Sequence, residues 1–177
     1  MRYTYSDYLT WDDDQRWELI DGVPFMMSAP SRLHQEISGN LFGELYILLK
    51  GKPCRVYSAP FDVRLNADTF DNTVVQPDVI VICNKDVLDK AGCKGPPDLV
   101  IEVLSQSTSS RDKKLKFEKY REAKIKEYWI ADPNAKTVSV SILENGDYST
   151  RVYGEKDMLP IHMLENSEID LKEVFMN

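Results

Sequence analysis

The stretch Leu99-Val100-Ile101-Glu102-Val103-Leu104 limits the possible folds more than any other part of the chain. On an extended strand successive side chains point to opposite faces. Leu99, Ile101 and Val103 therefore share one face, and Val100, Glu102 and Leu104 share the other. Both faces are apolar, which asks for a strand covered on both sides within a layered α/β arrangement. Val79-Ile80-Val81-Ile82-Cys83, directly after Pro77-Asp78, has the same character. Each of these strands carries one carboxylate, Glu102 or Asp78, where an ionised group is costly unless a cation compensates it. A metal ion or a lysine would serve. A structural ion pair, or an aspartate closing a strand end, is the bland account of the same two residues.

The rest of the chain supplies the layers. Tyr5–Leu9 reads as a short helix, and Arg16–Ser28 as two strands around the Asp21-Gly22 turn. Pro30-Ser31 opens a long helix in which Leu33, Ile37, Leu41, Leu45 and Leu48 recur every three or four residues, closed by Gly51-Lys52-Pro53. Strands are expected near Arg55–Tyr57 and Phe61–Leu65, then a polar loop at 66–72. Ser107–Ser110 caps a helix reaching about Ala123. Strands follow at 127–132, 137–143 and 148–153, the last two joined by the Asn145-Gly146-Asp147 turn. This order predicts an α/β (mixed α+β) chain with a mixed central sheet flanked by helices, in one domain spanning 1–177.

The helix after Glu102 supplies a cation. At about 100° per residue, Asp112, Lys116, Tyr120 and Ala123 lie along one stripe, with Leu115 and Phe117 beside it. Lys114, Glu118, Arg121 and Glu122 form the opposite, solvated stripe, with Lys114 and Glu118 spaced to pair. Lys113 and Lys119 stand at the edges. Lys116 is thus the inward lysine. It either serves a site or simply pairs with Asp112.

Gln76-Pro77-Asp78 followed by Glu102-Val103-Leu104 resembles the motif of the restriction-endonuclease-like PD-(D/E)XK nucleases, with Leu104 where that motif has lysine. The longer string IEVLSQSTSSRDKKLKFEKYREAKIKEYWIADP resembles the restriction endonuclease family of Uma type. So do WELIDG, PSRLHQ and VVQPDVIV, and the likeness covers nearly the whole chain, most weakly its last twenty-odd residues. The resemblance implies a restriction-endonuclease-like core and a metal-dependent nuclease that hydrolyses phosphodiester bonds of nucleic acid, DNA foremost. It implies that Asp78, Glu102 and the Val103 carbonyl hold Mg²⁺ or Mn²⁺ through oxygen ligands. Lys116, displaced from the strand to the helix, would then orient the attacking water or offset transition-state charge.

Glu18, in WELI, reads either as a further acidic site residue or as a strand-edge charge. His34 reads as a cap, a packing residue or a phosphate contact. Gln76 is a site contact or a loop residue, and Asp112 positions Lys116. Asp62 is expected on an exposed strand face and Tyr120 in the core with its hydroxyl satisfied. Cys54, Cys83 and Cys93 are odd in number without metal-finger spacing, so they read as reduced thiols in a cytoplasmic setting, Cys83 as a small core residue. No apolar run is long enough for a membrane span, and the N-terminus does not read as a signal peptide. P-loop, dinucleotide, serine-hydrolase and zincin motifs are absent from the sequence. The net charge of −7 opposes a tight grip on long duplex DNA, which draws on basic patches. That charge and Leu104 leave open a non-catalytic nucleic-acid or protein interaction module on the same fold. Two cuts in a duplex need two sites, so a homodimer is expected by analogy.

Overall fold

The computed structural model describes residues 1–105 and 110–176, the side chains of 110–112 excepted. In chain order its elements are α1 (Tyr5–Tyr8), β1 (Trp17–Ile20), β2 (Val23–Met26), α2 (Arg32–Leu49), β3 (Arg55–Ser58) and β4 (Asp62–Arg64). They continue with β5 (Val74–Val75), β6 (Val79–Ile82), β7 (Gly92–Lys94), β8 (Leu99–Val103), α3 (Ser110–Glu122) and β9 (Glu127–Asp132). Last come β10 (Thr137–Glu144), β11 (Asp147–Gly154), β12 (Met158–Pro160), β13 (Glu168–Asp170) and α4 (Leu171–Val174). Of the cap expected at Ser107–Ser110, residues 107–109 lie outside the described residues and Ser110 is the first residue of α3.

Local chemistry accounts for most boundaries. Asp21 and Gly22 both take positive φ, 50° and 77°, between antiparallel β1 and β2, the pattern of a tight hairpin turn. Ser31 caps α2 by accepting the His34 N–H at 3.2 Å. The buried stripe of α2 is His34, Ile37, Leu41, Leu45 and Leu49, with Leu33 and Leu48 only half-buried. The apolar period therefore runs one position later than the leucines suggest at both ends, and His34 takes the inward place in the first turn.

β8 lies inside a six-stranded mixed sheet of order β11-β10-β9-β8-β6-β3, parallel only to β9. Both of its faces are covered, as the alternation demands. Leu99, Ile101 and Val103 join a core formed with α2 and the C-terminal residues Leu159, Ile169, Leu171, Val174 and Phe175. Val100 joins a second core with Tyr120, Ile125 and Tyr128. Strands of a second sheet, order β2-β1-β5-β4-β7, also contribute to that core, through Ile20, Val63 and Val75. The chain is thus a mixed α/β fold with sheets flanked by helices.

Two expectations are corrected. Cys54 and Cys83 are not reduced thiols but form a disulfide, while Cys93 is a buried free cysteine. Antiparallel β3 and β6 pair Arg55 with Ile82, which brings the two flanking cysteines opposite one another. Asp62 is not on an exposed face. It accepts hydrogen bonds from the Tyr5 hydroxyl at 2.9 Å, the Tyr8 hydroxyl at 3.4 Å and Gln76 Nε2 at 2.9 Å. No helix of the described residues is long and apolar enough to cross a membrane.

Candidate active site

Antiparallel β6 and β8 set Val79 opposite Ile101, and one residue further along Asp78 comes opposite Glu102. The two carboxylates are therefore neighbours on adjacent strands of one sheet. Asp78 Oδ2 accepts the Val103 N–H at 2.7 Å and lies 3.2 Å from His34 Nε2. Glu102 Oε1 accepts from the Tyr120 hydroxyl at 2.5 Å and from Lys116 Nζ at 2.9 Å. Lys116 Nζ also donates to Glu18 Oε1 at 2.8 Å, and the same oxygen accepts the Gln76 N–H at 2.9 Å. Side-chain exposures of 7% for Glu18, 14% for Glu102 and 17% for both Asp78 and Lys116 make this a recessed cluster.

Each part of the cluster comes from a different element. The β1–β2 hairpin carries Glu18, the loop after β5 brings Gln76 and Asp78, β8 brings Glu102, and α2 brings His34. Lys116 and Tyr120, one helical turn apart, point from α3 at the same glutamate oxygen. The inward stripe read from the sequence is therefore the face that α3 turns to Glu102. Of the residues picked out beforehand, Asp78, Glu102, Lys116, Glu18 and His34 come together by side chain. Gln76 joins through its backbone N–H; its side chain bonds Arg16 and Asp62 instead. The side chain of Asp112 is outside the described residues. Lys114 is not the partner of Glu118, which pairs with Arg121. Lys119 pairs with Asp21 at 2.9 Å and with Glu122 at 2.7 Å.

The electrostatics follow from burial and crowding. Desolvation pushes the Glu102 carboxyl up to about 7, with the nearby charges of Asp78 and Glu18 adding to the rise and Lys116 opposing it. Burial works against the charge on Lys116, but Glu102 and Glu18 outweigh it and hold the ammonium above the usual lysine range. The imidazole of His34 is raised chiefly by its hydrogen bond to Asp78. Its Nδ1 is buried and has no hydrogen-bond partner among the described residues.

The cluster lines a cleft of about 410 Å³. Residues the sequence did not mark as site residues complete its walls: the cations Arg16 and Lys113, and the apolar side chains Phe25, Met26, Met27 and Phe42. They come from the β1–β2 hairpin and its flanks, α2 and α3, elements far apart in sequence whose meeting leaves no local signature. Among the described residues, no three or more His, Cys, Asp or Glu side chains form a group able to hold a metal. The donors to test are therefore two carboxylates and a backbone carbonyl. Oxygen donors suit Mg²⁺, which is commonly held by one or two carboxylates, with waters and substrate phosphates completing its shell. Contacts from the described residues fall on Oδ2 of Asp78 and Oε1 of Glu102. The donor set fits such an ion.

The sequence pattern of the Uma2 family, described as "Putative restriction endonuclease", matches residues 5–172. The chain belongs to that family. It is 26% identical over 172 residues to "Uncharacterized protein slr1290" of Synechocystis sp. (strain ATCC 27184 / PCC 6803 / Kazusa), covering 96% of this chain and 84% of the relative. Among solved structures it resembles a protein of Anabaena variabilis ATCC 29413, described as "a putative nuclease belonging to DUF820". That match has a TM-score of 0.79 at 17% identity and covers 98% of this chain and 97% of the other. The restriction-endonuclease-like fold is thus established, and the Uma2 family supports a nuclease in general.

Proposed function

We propose that this Uma2-family chain is a metal-dependent nuclease hydrolysing phosphodiester bonds, with DNA as substrate, and that Asp78, Glu102 and the Val103 carbonyl hold Mg²⁺ or Mn²⁺. The observation that carries this reading is the position of Lys116. Leu104 leaves the strand without a lysine, and α3 brings an ammonium to within 2.9 Å of Glu102. When bound, the ion would polarise the scissile phosphate and make its water more acidic. Lys116, kept protonated by Glu102 and Glu18, is unsuited to act as a base and well placed to offset negative charge developing on phosphorus. The contact from His34 and the Val103 N–H fix the rotamer of Asp78, as partners of metal-binding carboxylates do. Tyr120 does the same for Glu102.

The competing reading, a non-catalytic module on the same fold, expects Lys116 turned away from both carboxylates. Its distance from Glu102 favours the enzyme.

Titration calorimetry of Mg²⁺ and Mn²⁺ into wild type and Asp78→Ala, paired with cleavage assays, tests the proposal. Binding should vanish in Asp78→Ala. Cleavage should fall by about a hundredfold or more in Asp78→Ala, Glu102→Ala and Lys116→Met, the scale of losing an electrostatic contact to a transition state. Wild-type cleavage in all three variants would end the proposal.

A further inference from the structure

Resting on the nuclease reading, we infer that the cleft takes unpaired nucleotides, with a base seated on its apolar wall and the adjoining phosphate at the acidic cluster, and does not take continuous duplex. The lining of the cleft is of two kinds. Its walls carry Asp78, Glu102 and Lys116 together with the apolar side chains Phe25, Met26, Met27 and Phe42. Met26 is 64% exposed, and the half-buried Phe42 ring stacks on the 55% exposed Tyr46 with planes 16° apart. An aromatic face runs from the cleft outward along α2.

The size of the cleft selects the occupant. A volume of about 410 Å³ lies in the range of pockets that bury one small ligand, the scale of a nucleotide and not of a helix. The carboxylates are recessed, so a phosphate must enter the cleft to meet them. A base still paired within a stack would hold that phosphate outside, whereas a single strand or an extruded nucleotide can enter.

Charge selects the same occupant. On a chain of net charge −7, counterion release supplies little of the affinity that duplex binders draw from phosphates. Stacking on an aromatic face is an attraction that only unpaired bases can offer, and it is indifferent to the protein's net charge. One active site is enough for a single strand, so cleavage would not depend on a homodimer.

Gly39, three residues before Phe42 on α2, also lines the cleft, and a Cβ built on it meets nothing within 4 Å. Gly39→Leu would therefore fill the seat without disturbing the backbone, whereas Phe42→Ala removes the stacking face and some core packing.

Fluorescence anisotropy of labelled single-stranded DNA, single-stranded RNA and blunt duplex DNA of one sequence, with Ca²⁺ replacing Mg²⁺, is the test. Single strands should bind about tenfold or more tightly than duplex, and Gly39→Leu and Phe42→Ala should each cost about tenfold, the scale of one base–aromatic stack. Preference for either the DNA or the RNA strand supports the inference and identifies the sugar. Equal or tighter duplex binding overturns it, as does wild-type affinity in both variants. A dimer that Phe42→Ala dissociates in sedimentation would assign this face to a second copy and also overturn it. Duplex cleavage abolished by Asp78→Ala would sink this inference alone and leave the nuclease standing. No cleavage of any nucleic acid with Mg²⁺ or Mn²⁺ would remove both.

Discussion

Glu102 is where the opposing demands on this molecule meet. Its strand needs apolar faces, and its carboxylate is surrounded by Asp78, Glu18, Lys116 and Tyr120. Because burial lifts its folded pKa from 4.5 to about 7, the folded state binds its proton more tightly than the unfolded chain does. The contribution of this group to stability is fully present below about pH 4.5 and is lost as pH rises through 7. Glu102→Gln keeps the shape and removes the titration. In metal-free buffer, the stability of Glu102→Gln relative to wild type should therefore increase between pH 4.5 and 7 and level off above it. Thermal melts of both proteins in chelator across that range measure it; a difference that does not vary with pH would show that folding leaves the pKa of Glu102 where it is in the unfolded chain. At this scale the sequence spoke clearly for Asp78, Glu102 and Lys116, because a charge inside a doubly apolar strand and a lysine on an inward stripe are local anomalies. It spoke ambiguously for Glu18 and His34. Their importance depends on partners 98 and 44 residues away, Lys116 and Asp78.

Among the elements, those with strong periodicity were legible and those made by partnership were not. The β1–β2 hairpin, α2, β6, β8, β9 and β10 declare themselves through alternation, capping and turn residues. The two-residue β5, the three-residue β7 and the β12–β13 pair carry too little pattern of their own and exist because neighbours complete their hydrogen bonds. The C-terminal segment looked weakest, yet Ile169, Leu171, Val174 and Phe175 are almost fully buried against α2 and the main sheet. The hairpin that carries Glu18 gives the sharpest element-level prediction. Gly22 has φ of +77°, and a Cβ there would stand 2.8 Å from the Arg2 Cβ and 3.0 Å from the Tyr3 carbonyl oxygen. Gly22→Ala should destabilise the protein by more than about 1 kcal/mol, through both the left-handed backbone and the clash. Urea denaturation would register this, and an unchanged midpoint would mean that the N-terminal segment packs elsewhere in solution.

The whole molecule is acidic while its cleft is ringed by a few cations, and this contrast should appear in its response to salt. Lys116 is committed to Glu18 and Glu102, which leaves Arg16 and Lys113 among the cleft-lining residues as the cations nearest an incoming strand. Neutralising about two phosphates on a single strand gives a log–log slope of affinity against salt near −1.4. Affinity for single-stranded DNA should then fall by less than about tenfold between 50 and 200 mM salt, whereas a duplex binder making six to ten phosphate contacts loses about a thousandfold or more. Replacing Lys113 with Gln should flatten the slope by about 0.7 and weaken all sequences alike. Anisotropy titrations at several salt concentrations decide the matter. A steep slope would reveal a basic track outside the cleft and a footprint much longer than the nucleotides it can hold. A shallow slope that persists in Lys113→Gln would shift the phosphate contact to Arg16, whose guanidinium is already held by the Gln76 side chain at 2.8 Å.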